Sequence, residues 1–316
     1  MYSKIVGTGS YLPKKVVAND DLCRQLDTTD EWITQRVGIK ERRLVADESL
    51  EYLMKSAALN ALEAANVSAN DIDLFIVGTA TPDYVFPSAA CVLQRALGVT
   101  NQAPAFDVSA ACAGFLYALN VADSIIKSGP VKRALVVGAD AISKLVDWQD
   151  RSTCVLFGDG AGAVVIEASA TPGVLSTLLH ADGNYDKSLY MKSPVWNRGE
   201  QCHIKMDGKD VFRHATTKLG ALVDQLISSV ELDKHDIDWL IPHQANKRII
   251  DAIAKKLALP KEKIIYTIEK HGNTSAASVP LALDHAVRSG KVLPGQLLML
   301  EAFGGGFSWG GALVRY

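Results

Sequence analysis

One cysteine of the sequence stands where an apolar strand is expected to give way to a helix. Cys112 follows Phe106-Asp107-Val108-Ser109 and precedes the predicted helix at 113–127. Unpaired backbone N–H groups and the positive end of the helix dipole favour a thiolate at such a position, and the thiolate is the form that attacks a carbonyl. We therefore predict that Cys112 is a nucleophile. A buried structural cysteine is the alternative.

His243 and Asn273 are the candidates to act with this cysteine, because each follows an apolar run in the second half of the chain. A cysteine near a histidine and an asparagine fits covalent acyl transfer. An asparagine amide and a neutral imidazole can both donate hydrogen bonds to an enolate oxygen. A cysteine protease instead uses the histidine as a base and the asparagine to orient it. The residue types alone leave both arrangements open.

An internal repeat indicates how the three residues are positioned. The acidic turn and apolar strand at 71–78 recur at 236–243. In each half we then expect a helix, a strand, a second helix that ends in Ser-Gly, and a third strand. The predicted ranges are 88–97, 105–108, 113–127 and 133–137 in the first half, and 248–257, 264–268, 275–288 and 296–300 in the second. This order predicts a duplicated βαβαβ unit.

The predicted strands are nearly continuous apolar runs, so helices should cover both faces of each sheet. Two such units give a five-layer α-β-α-β-α protein of class α/β, with halves at 1–170 and 171–316. The two Ser-Gly pairs are 161 residues apart, which makes Asn273 the counterpart of Cys112. His243 ends a strand at the sheet edge where α/β proteins bind ligands. The three side chains should therefore converge on one crevice.

Composition narrows the possible functions. The chain has 316 residues, 48% of them hydrophobic, and a net charge of -2, which argues against nucleic-acid binding through bulk positive charge. The five cysteines form no CxxC pair, so neither a disulfide framework nor a metal site is indicated. We find no signal-peptide pattern and no apolar run of the roughly 18 residues that span a membrane. These features predict a cytoplasmic protein without membrane or nucleic-acid partners.

Two glycine-rich segments have different interpretations. Gly304, Gly305 and Gly306 follow a strand and would let backbone approach a ligand and direct an N–H group toward it, although a tight turn between strands is an alternative. The segment 158–163 superficially resembles a nucleotide-binding loop. It lacks the helix and acidic residue that should follow, so we interpret it as a close-packed turn into a strand.

Four motifs together resemble β-ketoacyl-acyl-carrier-protein synthase III. They are Ala110-Ala111-Cys112-Ala113-Gly114-Phe115, Pro242-His243-Gln244-Ala245-Asn246, His271-Gly272-Asn273-Thr274-Ser275 and Gly304-Gly305-Gly306. The resemblance runs the full length of the chain. It implies the thiolase fold, a homodimer, and the condensation of an acyl-CoA primer, commonly acetyl-CoA, with malonyl-acyl carrier protein. No cofactor is implied, because acyl-CoA is a substrate.

The same resemblance implies catalytic roles. Cys112 would carry the acyl group as a thioester, with the N–H groups of Cys112 and Gly305 as its oxyanion hole. His243 and Asn273 would bind the malonyl thioester oxygen and favour decarboxylation to an enolate, which attacks the acyl-cysteine. Sister enzymes that elongate chains have a second histidine where this chain has Asn273.

The resemblance also implies substrate-binding residues. The expected CoA contacts are Trp32, Arg36, Arg151 and Asn246, with adenine stacked between the indole and a guanidinium. Ser152 follows Arg151, where many family members have glycine. The expected acyl pocket contains Phe86, which would cross the dimer interface, together with Ile142, Phe157 and Leu189. A basic patch for the acidic carrier protein would contain Lys209, Arg213, Lys247 and Arg248.

Two other functions remain possible on the sequence alone. A thioester hydrolase or simple acyltransferase would use the same cysteine without forming a carbon–carbon bond. A non-catalytic acyl-carrier-binding protein would keep the fold, but the intact Cys112, His243 and Asn273 argue against it. The sequence does not define which primer fits.

Overall fold

Two β-sheets form the framework of the protein in a computed structural model that describes residues 1–316. The first sheet has five strands in the spatial order β1 (Tyr2–Tyr11), β7 (Asp159–Ser169), β6 (Arg133–Ala141), β4 (Leu74–Gly78) and β5 (Ala105–Val108). The second has four, in the order β11 (Trp239–Pro242), β12 (Leu297–Gly304), β13 (Ser308–Arg315) and β8 (Val174–Ala181). Two-stranded ribbons pair β2 (Lys15–Ala18) with β3 (Glu41–Leu44), and β9 (Leu189–Tyr190) with β10 (Lys205–Met206).

Nine α-helices connect and cover these strands. They are α1 (Asn19–Cys23), α2 (Asp30–Val37), α3 (Leu50–Ala65), α4 (Ala89–Leu97), α5 (Gly114–Ser128), α6 (Gly208–Ser228), α7 (Lys247–Leu257), α8 (Ile268–His271) and α9 (Ser278–Arg288). Short 3-10 turns precede α5 and α9, at Ala111–Ala113 and Ser275–Ala277. None of the helices combines the length and the apolar character needed to cross a membrane.

Three apolar cores define five layers, as the near-continuous apolar strands predict. One core lies between α3, α4 and the outer face of the first sheet. The second fills the space between the two sheets, where α5 and α9 are buried. The third joins α6 and α7 to the outer face of the second sheet and extends to the β2–β3 ribbon. The α-β-α-β-α arrangement is that of the thiolase fold.

The two sheets repeat one topology. In each, a central strand pairs with a parallel neighbour on one side and an antiparallel neighbour on the other: β6 with β4 and β7, and β12 with β11 and β13. Glycines end the long central helices at Gly129 and Gly290, both with positive φ, as expected for C-terminal caps. The duplication predicted from the sequence is therefore present in the strand order as well as in the order of elements.

The predicted strand at 264–268 does not form. Ile264 makes only an isolated bridge to Leu240, and α8 begins at Ile268. The Gln244 side chain takes the hydrogen-bonding groups that a strand would use, because it donates to the Ile265 carbonyl and accepts from the N–H groups of Thr267 and Ile268. The chain leaves the sheet after one bridge, and this turns the following segment toward the cleft.

The exact counterpart of Cys112 also differs from the prediction. Ala111 and Ser275, each the first residue of its 3-10 turn, both have left-handed φ values, 46° and 51°. These two residues are 164 positions apart, so Ala276 is the counterpart of Cys112. The spacing of 161 applies only at the helix ends, because α9 has 11 residues and α5 has 15. Asn273 lies three residues before the equivalent position.

Candidate active site

A cleft of about 970 Å³ brings most of the predicted site residues together. Cys112, His243 and Asn273 all line it, although they come from different parts of the sequence. The other predicted residues in its wall are Trp32, Arg36, Arg151, Phe157, Leu189, Lys209, Asn246 and Arg248. Gly305, Phe86, Ile142, Arg213 and Lys247 are outside the set that lines it. The convergence predicted for the three polar side chains is therefore seen in the structure.

Cys112 lies in the 3-10 turn just before α5, as its sequence context predicts. No side chain caps the start of α5, so its first N–H groups remain available near the sulfur. The expectation that this position favours the thiolate is wrong for the resting site. Cys112 is only 8% exposed, and burial raises its pKa to about 11, although a hydrogen bond from Ser275 acts in the opposite direction. The resting cysteine is a thiol at neutral pH.

His243 is the first residue after β11, and its backbone N–H donates to the Glu301 carbonyl on β12 at 2.8 Å. Its ring is buried, and neither ring nitrogen has a hydrogen-bond partner. Burial lowers the pKa of His243 to about 3, because nothing nearby compensates the desolvated imidazolium. The imidazole is therefore neutral at physiological pH, with one N–H donor available to a ligand.

The backbone of Asn273 is fixed on both sides by the neighbouring loop. Its N–H donates to the Leu156 carbonyl at 2.8 Å, and its own carbonyl accepts from the N–H of Gly158 at 2.9 Å. The side-chain Oδ1 accepts from the backbone N–H of Ser275, also at 2.9 Å. Because the oxygen is engaged in this way, the amide directs its donor, Nδ2, away from that turn.

This geometry separates the two arrangements that the residue types left open. In a cysteine protease, the asparagine holds the histidine by a hydrogen bond. Here Asn273 bonds to Ser275, and both ring nitrogens of His243 are without a partner. The two side chains are thus independent neutral donors in one cleft. That pattern is suited to an oxygen that gains negative charge during a reaction.

The glycine-rich segment approaches the cysteine closely. A Cβ placed on Gly304 would come within 2.7 Å of the Cys112 amide nitrogen and within 3.2 Å of that of Ala113. Only glycine permits this contact. Gly305 lies next along the chain against Leu189, whose carbonyl would be 2.8 Å from an added Cβ. Backbone of the segment therefore lies beside the nucleophile, as the sequence predicts.

The predicted CoA contacts form one end of the cleft. Arg151 lies over the indole of Trp32, with Cζ 5.3 Å from the ring centroid, and Trp32 is 39% exposed. This spacing is too small to hold an aromatic ring between them, since each stacking contact needs about 3.5 Å. Asn246 caps α7 by accepting from the Arg248 N–H at 2.9 Å. Its amide nitrogen remains available for a ligand.

The predicted acyl-pocket residues separate into three positions. Phe157 and Leu189 line the cleft. Ile142 does not, and it is instead buried in the same apolar core as Phe157. Phe86 is 84% exposed on this chain and lies outside its cleft. Its predicted contribution would have to be made to another copy of the chain.

The predicted basic patch is only partly free of carboxylates. Lys209 and Arg248 line the cleft, and Arg248 lies over the Phe212 ring with Cζ at 5.1 Å from the centroid. Arg213 instead pairs with Asp210 at 2.6 Å, and Lys247 pairs with Asp251 at 2.8 Å. The positive field at the cleft mouth therefore depends mainly on the first two residues, together with Lys205 in the same wall, since Lys187 is paired with Asp186 at 3.2 Å.

Two residues near Cys112 were missed by the sequence analysis. Ser275 lies in the 3-10 turn that packs against the turn of Cys112, and Asp140 is a buried carboxyl on β6 that accepts a hydrogen bond from the Ala276 N–H of the same turn. An aspartate inside the apolar run Val137-Gly138-Ala139-Asp140 was the available signal for the second. Nothing in the local sequence distinguishes Ser275 from an ordinary turn residue.

Comparison with known proteins supports the same assignment over the whole chain. The model described as 3-Oxoacyl-[acyl-carrier-protein (ACP)] synthase III matches residues 106–183, and the model for its C terminal matches residues 227–316. The β-ketoacyl-[acyl-carrier-protein] synthase III of Coxiella burnetii (strain CbuK_Q154) is 54% identical over 316 residues, covering 99% of both chains. The corresponding protein of Xanthomonas campestris pv. campestris is 56% identical over 322 residues, covering 100% of this chain and 99% of the relative.

A solved structure shows that the fold is shared as well as the sequence. The crystal structure of 3-oxoacyl-[acyl-carrier-protein] synthase III from Aquifex aeolicus VF5 superposes with a TM-score of 0.95 at 47% identity, covering 99% of this chain and 100% of that one. The fold and the relatives define a thiolase-fold condensing enzyme, which transfers acyl groups. Within that class, the chain belongs to the β-ketoacyl-[acyl-carrier-protein] synthase III family, which initiates fatty acid synthesis by condensing acyl-CoA with malonyl-acyl carrier protein.

Proposed function

We propose that Cys112, His243 and Asn273 are the catalytic residues of this condensation, and that acetyl-CoA is the primer. The observation that carries the assignment is the hydrogen bond from the Ser275 N–H to Asn273 Oδ1, taken with the unpartnered ring of His243. Together they leave two neutral donors for one oxygen in the cleft that contains Cys112. A site of this kind stabilises an enolate better than it activates water.

Acyl transfer is the first step. The Cys112 sulfur bonds to the thioester carbonyl carbon of acyl-CoA, and the N–H groups of Cys112 and Gly305 stabilise the oxyanion. The bond from that carbon to the CoA sulfur then breaks, and the thiol proton of Cys112 ends on the departing CoA sulfur. The proximity of Gly304 to the Cys112 amide supports this oxyanion hole, because it keeps side-chain atoms away from that N–H.

Decarboxylative condensation is the second step. His243 and Asn273 donate hydrogen bonds to the malonyl thioester oxygen. The bond between the malonyl methylene carbon and the carboxylate carbon then breaks, which releases CO2 and forms an enolate. The enolate carbon bonds to the acyl carbon on Cys112, the sulfur leaves as a thiolate, and the thiolate takes a proton from solvent. The low pKa of His243 supports a role as a neutral donor, because an imidazolium would not form at physiological pH.

Substrate binding is proposed along the same cleft. Trp32, Arg36 and Arg151 would hold the CoA nucleotide at the exposed end, with Arg151 swinging off the indole to admit adenine, and Asn246 would contact the pantetheine arm. Phe157 and Leu189 would line the acyl pocket, with Ile142 behind them. These assignments are consistent with the aromatic, cationic and apolar character of the cleft wall at each point.

The carrier protein and a second copy of the chain are the proposed macromolecular partners. Lys209 and Arg248 at the cleft mouth, with Arg213 and Lys247 beside them, would attract an acidic carrier protein. We propose a homodimer in which Phe86 contributes to the partner's acyl pocket. We further propose a cytoplasmic location, no cofactor and no metal, and a division into halves at 1–170 and 171–316.

The test separates condensation from hydrolysis or simple acyl transfer. The purified protein is mixed with acetyl-CoA and malonyl-acyl carrier protein, and CO2 and the carrier-bound product are measured together. Condensation gives one CO2 for each 3-oxoacyl product, and Cys112→Ser, which lacks an accessible anion, gives neither. Consumption of acetyl-CoA without CO2 release would assign the protein to the acyltransferase or thioesterase alternative.

A further inference from the structure

A buried glutamine just beyond β11 uses every hydrogen bond that its amide can form. Gln244 is 1% exposed, and its Nε2 donates to the carbonyls of Pro242 and Ile265 at 2.8 and 3.0 Å. Its Oε1 accepts from the backbone N–H groups of Thr267 and Ile268, also at 2.8 and 3.0 Å. Because backbone carbonyls cannot donate and backbone N–H groups cannot accept, one orientation of the amide satisfies all four partners.

The backbone of the same residue is bonded further along the chain. The Gln244 N–H donates to Ser278 Oγ at 2.7 Å, and Ser278 is the first residue of α9. The side chain thus holds the start of α8, and the backbone holds the start of α9. Asn273 lies between these two points. Gln244 therefore holds both ends of the segment 265–278, which we call the Asn273 segment.

These bonds connect the Asn273 segment to the residue that follows His243. Among residues 242–246, Gln244 alone forms hydrogen bonds to that segment. The other bond from this part of the chain lies further back in β11, where the Leu240 carbonyl accepts from the Ile265 N–H at 3.0 Å. The position of Asn273 relative to His243 therefore depends on the contacts of this one glutamine.

We propose that Gln244 is a positioning residue that fixes the spacing between the two donors, His243 and Asn273. It is outside the set of residues that line the cleft, so it acts through these two side chains and does not touch the substrate. Both donors must reach the same oxygen, and a misplacement of about 1 Å can cost about 10²-fold in rate. The inference rests on the proposed roles of His243 and Asn273 in decarboxylation.

The turn that carries Cys112 is held in a different way. It packs against the 3-10 turn at Ser275–Ala277, and that turn is bonded to β6 because the Ala276 N–H donates to Asp140 Oδ2 at 3.0 Å. None of these contacts involves Gln244. Loss of the glutamine contacts should therefore leave the acetylation of Cys112 intact and impair the later step, which needs both donors.

The test measures the two chemical steps on the same variant. Acetylation of Cys112 by acetyl-CoA is followed by intact-protein mass spectrometry, and CO2 release is then timed after malonyl-acyl carrier protein is added. Gln244→Glu can keep the two bonds that Oε1 accepts, but it places a carboxylate oxygen against the carbonyls of Pro242 and Ile265. We expect acetylation within about twofold of wild type and CO2 release slowed at least about tenfold. A merely structural role would slow both steps alike.

A second variant keeps the test decisive if Gln244→Glu does not fold. Ser278→Ala removes the acceptor of the Gln244 N–H, and alanine is well suited to a helix. It should slow CO2 release about threefold or more while acetylation is unchanged. Gln94→Glu is the matched control, because Gln94 also donates to a backbone carbonyl, that of Ala103 at 2.7 Å, and does not line the cleft. Both of its rates should equal those of wild type.

Asn273→Ala is measured alongside to separate this inference from the proposed function. Slow CO2 release in Asn273→Ala, with wild-type release in each folded variant at positions 244 and 278, would overturn the positioning role alone. Equal slowing of acetylation and CO2 release in those variants would overturn it as well. CO2 release at the wild-type rate in Asn273→Ala would overturn the proposed donor pair and, with it, the role of Gln244.

Discussion

Asn273 Oδ1 accepts a hydrogen bond from the backbone N–H of Ser275 at 2.9 Å, across a turn in which Ser275 has a left-handed φ of 51°. This contact fixes which end of the amide faces the cleft. The side-chain Nδ2 of Asn273 is therefore oriented to donate a hydrogen bond into the cleft, a role that an ordinary turn asparagine would not have. The neutral, unpartnered His243 supplies the second donor in the same cleft.

Replacing this donor by an acceptor should impair one chemical step only. Asn273→Asp can keep the bond to Ser275, but it places a carboxylate oxygen where Nδ2 donates. We expect the rate of condensation to fall by about 10²–10³, the usual effect of losing one oxyanion donor. Rapid-quench measurement of CO2 release checks the loss. Asn120→Asp, which alters an amide bonded to Thr177 outside the lining of the cleft, should retain full activity.

A methyl group at position 304 should disturb the nucleophile through the backbone. Because the added Cβ would lie 2.7 Å from the Cys112 nitrogen, Gly304→Ala must displace the turn that holds the cysteine. We expect acetylation of Cys112 to be slowed at least about tenfold, since small misplacements of reacting groups are costly. Intact-protein mass spectrometry follows the reaction. Gly183→Ala, where an added Cβ meets nothing within 4 Å, should behave as wild type, and equal rates in the two variants would contradict the argument.

Glu301 should make the protein less stable as the pH rises. Burial raises its folded pKa to about 8 from 4.5, so between these values the unfolded chain loses a proton that the folded chain keeps. The penalty at pH 7 is on the order of 3 kcal/mol, from about 1.4 kcal/mol for each pKa unit. Glu301→Gln, which cannot ionise, should therefore be more stable than wild type at pH 7.

Urea unfolding of the two proteins at pH 5 and pH 7.5 measures this difference. The advantage of Glu301→Gln should grow with pH, and at pH 5 it should be about one fifth of its size at pH 7.5. Glu63→Gln, at an exposed position of α3, controls for the general effect of removing a negative charge. A difference that does not vary with pH would show that Glu301 is not the group that titrates.

Loss of the indole at position 32 should affect CoA binding more than chemistry. Trp32→Ala removes the surface on which Arg151 rests and on which adenine is proposed to stack. We expect KM for acetyl-CoA to rise about tenfold, from the loss of about 1–2 kcal/mol of stacking, with kcat little changed. Steady-state kinetics against acetyl-CoA checks the split, and Trp148→Ala tests whether any exposed indole has the same effect. A fall in kcat with KM unchanged would contradict the assignment.

The sequence predicted the order of elements and the three polar side chains because these depend on local patterns. Apolar runs and Ser-Gly helix ends can be recognised directly in the sequence. The repeat of these elements then predicted that Cys112, His243 and Asn273 lie at one edge of the sheets. The motif resemblance added the role of each residue. The cleft in the structure contains all three.

The errors came from contacts between distant segments. The strand expected at 264–268 is lost because the side chain of Gln244 takes its hydrogen-bonding groups. The thiolate expected at Cys112 is opposed by burial, which depends on packing of both halves around the sulfur. Asp140 bonds to Ala276 across 136 positions of sequence, a distance over which no local pattern indicates a contact.

The most direct test of the account is a single-turnover experiment on protein already acetylated at Cys112. Malonyl-acyl carrier protein is added to acetylated wild type and to acetylated Asn273→Ala, and CO2 is measured against time. We predict that Asn273→Ala accepts the acetyl group at a rate near that of wild type, releases CO2 at least about 10² times more slowly, and retains the acetyl group on Cys112. Equal impairment of acetylation and CO2 release, or loss of the acetyl group to water without CO2, would contradict the division of roles between Cys112 and the donor pair His243 and Asn273.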